Sequence, residues 1–323
     1  MKNRKLIQHR MERFVRDTLL QKLGWPQHRF SLEATELGVH NHVFFLHIEG
    51  APALVVKGIA KQQRFKTLVA AADHLLHHGV RVPRILYSHE DQSIFPWQRL
   101  HVICEERITG TTAFAADSPA ALVPAIAGFF SHLHTVRRDS WGNLSERNRD
   151  GLHEYLLAKT RGRLQQWKTL DDSLPQRVPE RCTAWMSGRK TAVNNITSFS
   201  LSHGDPNPGN IMVQEDGSMC LLDVGHIRYL PRAIDYYQLV VHFCRDNGEL
   251  LRLFDDQYFA GMAAGEREEF AASQQFFKLY VLIDFGHNLA RRRAATDPKH
   301  PWHQEFTDNS KKVRRAMEEI LDT

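Results

Sequence analysis

The chain has 323 residues, 42% of them hydrophobic and 24% charged, and a formal net charge of +5. Length and balance allow one large buried core or two smaller ones and exclude a disordered chain. The positive excess is spread thinly, which argues against nucleic acid as a partner. Cys104, Cys182, Cys220 and Cys244 form no CxxC pair, which excludes a zinc ribbon or a secreted disulfide framework and fits a reducing compartment.

The first residues are charged throughout and lack the apolar centre of a signal peptide. Leu6, Met11, Phe14, Leu19 and Leu23 have helical spacing and predict an N-terminal helix over 1–24. No window has the length of apolar sequence needed to cross a bilayer, so a cytoplasmic protein, monomer or homodimer, is expected. His42–Ile48 and Ala53–Lys57 read as strands joined at Glu49-Gly50. Phe65, Leu68, Val69, Ala72, Leu75 and Leu76 then follow the rhythm of an amphipathic helix, with Gly79 and Pro83 as its stop signals. His101–Ile108 reads as a further strand after that helix, so the opening is a small sheet with one helix.

Beyond Thr109 the character is helical. Ser118-Pro119 predicts a helix start before Leu122, Ile126, Phe130 and Leu133, and a second helix covers about 152–170. The Pro-containing stretch near 171–200 reads as a loop or peripheral insertion. Glu215-Asp216-Gly217-Ser218 between two apolar runs predicts a hairpin, and the longest helix is expected over about 271–293. Arg291-Arg292-Arg293 reads as a solvated helix end, and Asp255, Asp256 and Asp284 as either exposed charge or contacts for a cationic substrate.

The informative stretch runs His203-Gly204-Asp205-Pro206-Asn207-Pro208-Gly209-Asn210, then the hairpin, then Leu221-Leu222-Asp223-Val224-Gly225. Phosphoryl transfer needs a carboxylate that orients the acceptor hydroxyl and takes its proton, and oxygen ligands for the magnesium that neutralises phosphate charge. An Asp followed five residues later by an Asn on one stiff loop suits both tasks, and Asp223 across the hairpin can complete the metal site.

The HGDxxxxN pattern followed by an apolar strand ending in Asp resembles the aminoglycoside phosphotransferase and choline kinase superfamily, relatives of protein kinases. The resemblance implies an α+β, protein-kinase-like two-lobed fold. A small N-terminal β-sheet lobe with one main helix (1–106) would bind nucleotide, and a larger, mostly helical C-terminal lobe (107–323) would hold the catalytic and substrate groups. It implies Asp205 as catalytic base, Asn210 and Asp223 as Mg2+ ligands, and His203 and Gly225 as structural residues near the site. Asp235 is expected to cap the helix that begins there. Glu36–Val43 resembles the family's nucleotide loop, placing Gly38 and Asn41 at the cofactor. Leu54-Val55-Val56-Lys57 resembles the strand whose lysine holds phosphates, and Val102–Gly110 the hinge, where the backbones of Glu106 and Ile108 would meet adenine.

The expected activity is transfer of the ATP (or GTP) γ-phosphoryl group to a hydroxyl of a small molecule: an aminoglycoside, an amino alcohol or a sugar. The alternatives are a catalytically inactive nucleotide-binding module of the same fold, or a lipopolysaccharide or lipid-linked sugar kinase. Asp205–Ile211 with Leu222–Gly225 is also similar to the loops of lipopolysaccharide sugar kinases and of the ubiquinone-biosynthesis kinases. One departure stands out. The family's helix normally supplies a Glu partner for the phosphate-binding lysine, yet the equivalent position falls near Leu68 and residues 64–78 contain no Glu.

Overall fold

The computed structural model describes residues 2–35, 41–90, 100–116, 119–171, 174–175 and 177–323. In chain order the elements begin with α1 (Lys2–Phe14), which passes through a π-helical turn at Val15–Leu19 into α2 (Leu20–Lys22). Strands β1 (Phe30–Ala34), β2 (Asn41–Ile48) and β3 (Leu54–Ile59) precede α3 (Gln62–His77), followed by β4 (Ile85–His89), β5 (His101–Glu106) and β6 (Thr111–Thr112). Next come α4 (Val123–Leu133), β7 (Arg137–Arg138), α5 (Leu152–Leu170), α6 (Val178–Ser187) and α7 (Lys190–Asn194). Strands β8 (Phe199–Ser202), β9 (Ile211–Val213), β10 (Met219–Leu221) and β11 (Arg228–Leu230) lead into α8 (Ala233–Leu239), α9 (Gly248–Phe259), α10 (Ala264–Ala295) and α11 (Pro301–Leu321).

These elements form two compact units. One is Met1–Pro119 with Asn207–Ile227, the other Ala120–Pro206 with Arg228–Thr323. The division therefore differs from a single cut at residue 106, because the segment after the HGD tripeptide belongs with the N-terminal strands. Backbone bonds account for that: Ala113 N–H donates to Ile211 O at 2.8 Å, and Leu221 N–H to Arg81 O at 3.0 Å.

In the first unit, five antiparallel strands lie in the order β1-β2-β3-β5-β4. The apolar stripe of α1 (Ile7, Met11, Phe14) packs with Phe44, Leu46, Val56, Val102 and Cys104 in one core cluster. Because side chains alternate along a strand, Val56 and Cys104 take that face while Lys57 and Glu105 take the opposite one. The helix α3 buries Phe65, Leu68, Ala71, Ala72 and Leu75. It ends as expected at Gly79, whose φ is +73°, with Val80 N–H donating to Leu75 O and Gly79 N–H to Leu76 O. A smaller antiparallel sheet, β10-β9-β6, contains the predicted hairpin.

In the second unit, α10 packs against α5, α8 and α11, and a short antiparallel sheet runs β11-β8-β7. Trp167 of α5 is fully buried, its indole set against Gly286 of α10. The stretch 171–200 is not a loop: it folds into α6 and α7, with Val178, Cys182, Met186 and Val193 buried. Pro179 stands in the first turn of α6, where proline removes no intrahelical bond and so does not break the helix. Arg293 is likewise no solvated end, for it meets buried Asp171 at 2.8 Å. Ser118, expected to start α4, lies outside the described residues. All four cysteines are free and buried, and no helix among the described residues is long and apolar enough to cross a membrane.

Candidate active site

Lys57 stands in the middle of β3, opposite Ile103 of β5, while Val55 stands opposite Glu105. Lys57 and Glu105 are therefore diagonal neighbours on one face, within reach of long side chains. The ammonium lies 2.5 Å from a Glu105 oxygen, with side-chain exposures of 13% and 5%. Burial pushes the Glu105 carboxyl up from its ordinary value, and the charge of Lys57 opposes that rise. The strand β5 thus supplies the carboxylate that α3 lacks. Leu68 is buried in the core and Asp73 is exposed, so neither takes that role. The alternation Cys104-in, Glu105-out was the signal available in sequence, obscured because Glu105 adjoins the expected hinge.

Asp223 follows β10 and has left-handed backbone angles, φ 52° and ψ 50°. Its Oδ2 accepts a hydrogen bond from Arg64 Nη2 at 2.6 Å, while its Oδ1 is buried without a partner. Burial alone would raise the Asp223 pKa, but Arg64 and Lys57 outweigh it and hold the carboxyl below the ordinary value. Gly225 packs closely here, for a Cβ would come 3.1 Å from Cγ of Arg64 and press on that side chain. Arg64 was not anticipated, although it precedes Leu68 by one helical turn and so faces the buried side of α3.

Asn210 closes a 3-10 turn, Pro208–Asn210, that begins where the Asn207 side chain accepts from Gly209 N–H at 3.0 Å. The Asn210 carbonyl then accepts from Leu222 N–H at 2.8 Å, tying Asn210 to the residue just before Asp223. The Asn210 amide and the Asp223 carboxylate, one of whose oxygens is buried and unpartnered, are hard oxygen donors of the kind that hold Mg2+ when phosphate and water oxygens complete the shell. The residues present fit the metal the family implies.

Asp205 is exposed and belongs to the second unit, five residues before Asn210 in the chain. Its N–H donates to His203 Nδ1 at 3.3 Å, and His203 is wholly buried. The carboxylate of Asp235 accepts from His203 N–H at 2.6 Å and from Gly204 N–H at 3.1 Å. This corrects the expected helix-capping role. Asp235 is a fully buried third residue of α8, and it braces the HGD loop rather than its own helix. Behind it, His134 Nε2 lies 3.4 Å from Asp235 and His134 Nδ1 lies 2.6 Å from Tyr258 Oη, to which Arg232 Nε donates at 3.2 Å. Burial drives the His134 pKa down, against the pull of Asp235. Such a satisfied buried network holds a loop in one conformation.

Of the remaining expected residues, Gly38 lies outside the described residues, and Asn41 has its backbone opposite Ile59 at the start of β2. Glu106 ends β5 and its N–H donates to Arg84 O at 3.0 Å, while Ile108 lies beyond the strand, half-buried. Asp255 accepts from Tyr236 Oη at 2.5 Å and Asp284 meets Arg163 at 2.8 Å, so both have internal partners. Asp256 is exposed.

An antiparallel sheet with its lysine strand and main helix, and a helical unit carrying an HGD loop, define a kinase-like α+β protein. More narrowly, the chain belongs to the phosphotransferase enzyme family, whose sequence profile matches residues 31–270. Among solved structures it is similar to the aminoglycoside phosphotransferase APH(4)-Ia, with 12% identity, coverage of 97% of this chain and 98% of that one, and a TM-score of 0.64. A putative aminoglycoside phosphotransferase from Ralstonia eutropha JMP134 gives 14% identity, 95% and 97% coverage and a TM-score of 0.63. The choline kinase of Cryptosporidium parvum Iowa II gives 12%, 93% and 93%, and 0.59. At these identities the likeness is one of fold. No curated protein matches the chain.

Proposed function

We propose that this protein moves the γ-phosphoryl group of ATP to a hydroxyl of a small molecule. The observation that carries the reading is the set in the first unit: Lys57 paired with Glu105, and Asp223 ionised with one oxygen unpartnered beside the Asn210 turn. Lys57 contacts the phosphates, Asn210 and Asp223 hold Mg2+, and the backbones of Glu106 and Ile108 meet the adenine edge. Bound Mg2+ supplies charge neutralisation at the phosphates. Asp205 orients the acceptor hydroxyl and takes its proton as the new oxygen–phosphorus bond forms and the β–γ bridging bond breaks, releasing ADP. Gly38 and Asn41 contact the nucleotide in this reading, and residues 1–106 form the nucleotide lobe.

Two lines support the reading. An APH(4)-Ia variant is described in a ternary complex with AMP-PNP and hygromycin B, and the fold's other relatives here include choline and ethanolamine kinases. An amino-bearing alcohol, whether aminoglycoside or amino alcohol, is therefore the favoured acceptor class. Glu105 gives Lys57 the carboxylate partner that α3 lacks, which supports an active enzyme over an inactive nucleotide-binding module of the same fold. The test is ATP consumption over a panel of aminoglycosides, amino alcohols and sugars, wild type against Asp205→Asn. The variant is expected to lose roughly 10²–10⁴-fold in turnover while still binding nucleotide; undiminished turnover would remove Asp205 from the role of base.

A further inference from the structure

The pair Arg64–Asp223 is joined at a single point. One guanidinium N–H meets one carboxylate oxygen, while Arg64 Nε and Asp223 Oδ1 are both buried with no partner. A forked pairing would satisfy all four atoms and is the stronger arrangement. Buried polar atoms left unmade are costly, so this geometry is poised to exchange partners: Oδ1 toward a cation, Nε toward an anion. A nucleoside triphosphate with its divalent cation brings both. The groups around the pair sharpen the argument. Lys57 and His226 also act on Asp223, and Glu105 is already engaged by Lys57. A divalent cation approaching Asp223 alone therefore meets a carboxylate already neutralised by Arg64, with a second cation near.

Resting on the function proposed above, we propose that Arg64 is a positioning residue that couples metal binding to nucleotide binding. Arg64 keeps one oxygen of Asp223 until triphosphate arrives, then exchanges that carboxylate for a phosphate oxygen and leaves Asp223 to the metal. Gly225 lies against the same side chain, since a Cβ there would stand 3.1 Å from Arg64 Cγ and press on the stem. Binding linkage is reciprocal, so the same residue makes nucleotide affinity depend strongly on the metal.

The experiment measures Mn2+ affinity by electron paramagnetic resonance with and without AMP-PNP, in wild type, Arg64→Gln, Arg64→Met and Arg64→Lys. Arg64→Met keeps the stem against Gly225 and stands in should the Gln variant lose its fold. Without nucleotide, the two neutral variants are expected to bind Mn2+ on the order of tenfold more tightly than wild type, and Arg64→Lys to resemble wild type. Adding Asp223→Asn to either neutral variant should abolish the gain, which locates it. The enhancement of Mn2+ affinity by AMP-PNP should shrink accordingly. Unchanged or weaker Mn2+ binding by folded neutral variants that still bind AMP-PNP would overturn the coupling alone. Failure of the wild type to bind AMP-PNP with Mn2+ would overturn the functional reading and the coupling with it.

Discussion

Glu105 shows how one residue's worth depends on its partner. Both members of the Lys57–Glu105 pair are largely buried, so neither charge can be relaxed by water once the other is gone. Glu105→Ala is expected to destabilise the protein by about 3–5 kcal/mol, because it leaves a buried ammonium uncompensated. Glu105→Gln, which keeps a hydrogen-bond acceptor, should cost less. Urea unfolding of the two variants measures both losses, and equal losses would mean that the charge of Glu105 is not what Lys57 needs. The same reasoning explains Asp235. Two loop N–H groups aim at its carboxylate, and a fully buried acid is tolerated because they and His134 satisfy it.

Between elements, α5 and α10 approach closely at Gly286. Gly286 has no open space around it, and an added Cβ would fall within the indole of Trp167. Gly286→Ala therefore trades the small gain in helix propensity for overpacking, and a loss of about 1–3 kcal/mol is expected from thermal or denaturant unfolding. Trp167→Phe should relieve that clash, so the double variant should be more stable than the two single losses added together. Additivity would mean the two helices can shift apart freely. The Schellman ending of α3 and the hairpin of β9 and β10 are set locally, by Gly79 and by the turn before Gly217. The exit of Asp223 into left-handed backbone is not local in this sense: an Asp there costs about 1–2 kcal/mol and is held by Arg64.

At the scale of the molecule, acid should unfold this protein partly through His242, on the π-helical turn Val240–Cys244 that follows α8. Burial drives its pKa down to about 4, only partly countered by Asp205. A histidine whose folded pKa lies below the unfolded value contributes stability that is present above about 6.5 and lost as pH falls toward 4. Between pH 7 and pH 5 the wild type should lose about 2 kcal/mol that a His242→Gln variant does not lose. Paired urea titrations at the two pH values measure the difference, and equal pH slopes would take His242 out of the account.

The amino-acid sequence by itself determined what repeats or is contiguous. It settled the helical stripes of α1, α3 and α4, the hairpin, and the spacing of acids and amide from His203 to Asp223 that resembles the family's loops. Helical and strand periods and turn residues are short-range properties, so they can be read without coordinates. Only the tertiary structure decided the partners: Glu105 for Lys57, Arg64 for Asp223, and Asp235 for the loop at His203 and Gly204. It also grouped residues 207–227 with the N-terminal strands. Those choices depend on strand register and on which helical face meets which loop. Such contacts join residues far apart in the chain, and a local pattern gives the face a residue takes but not its partner.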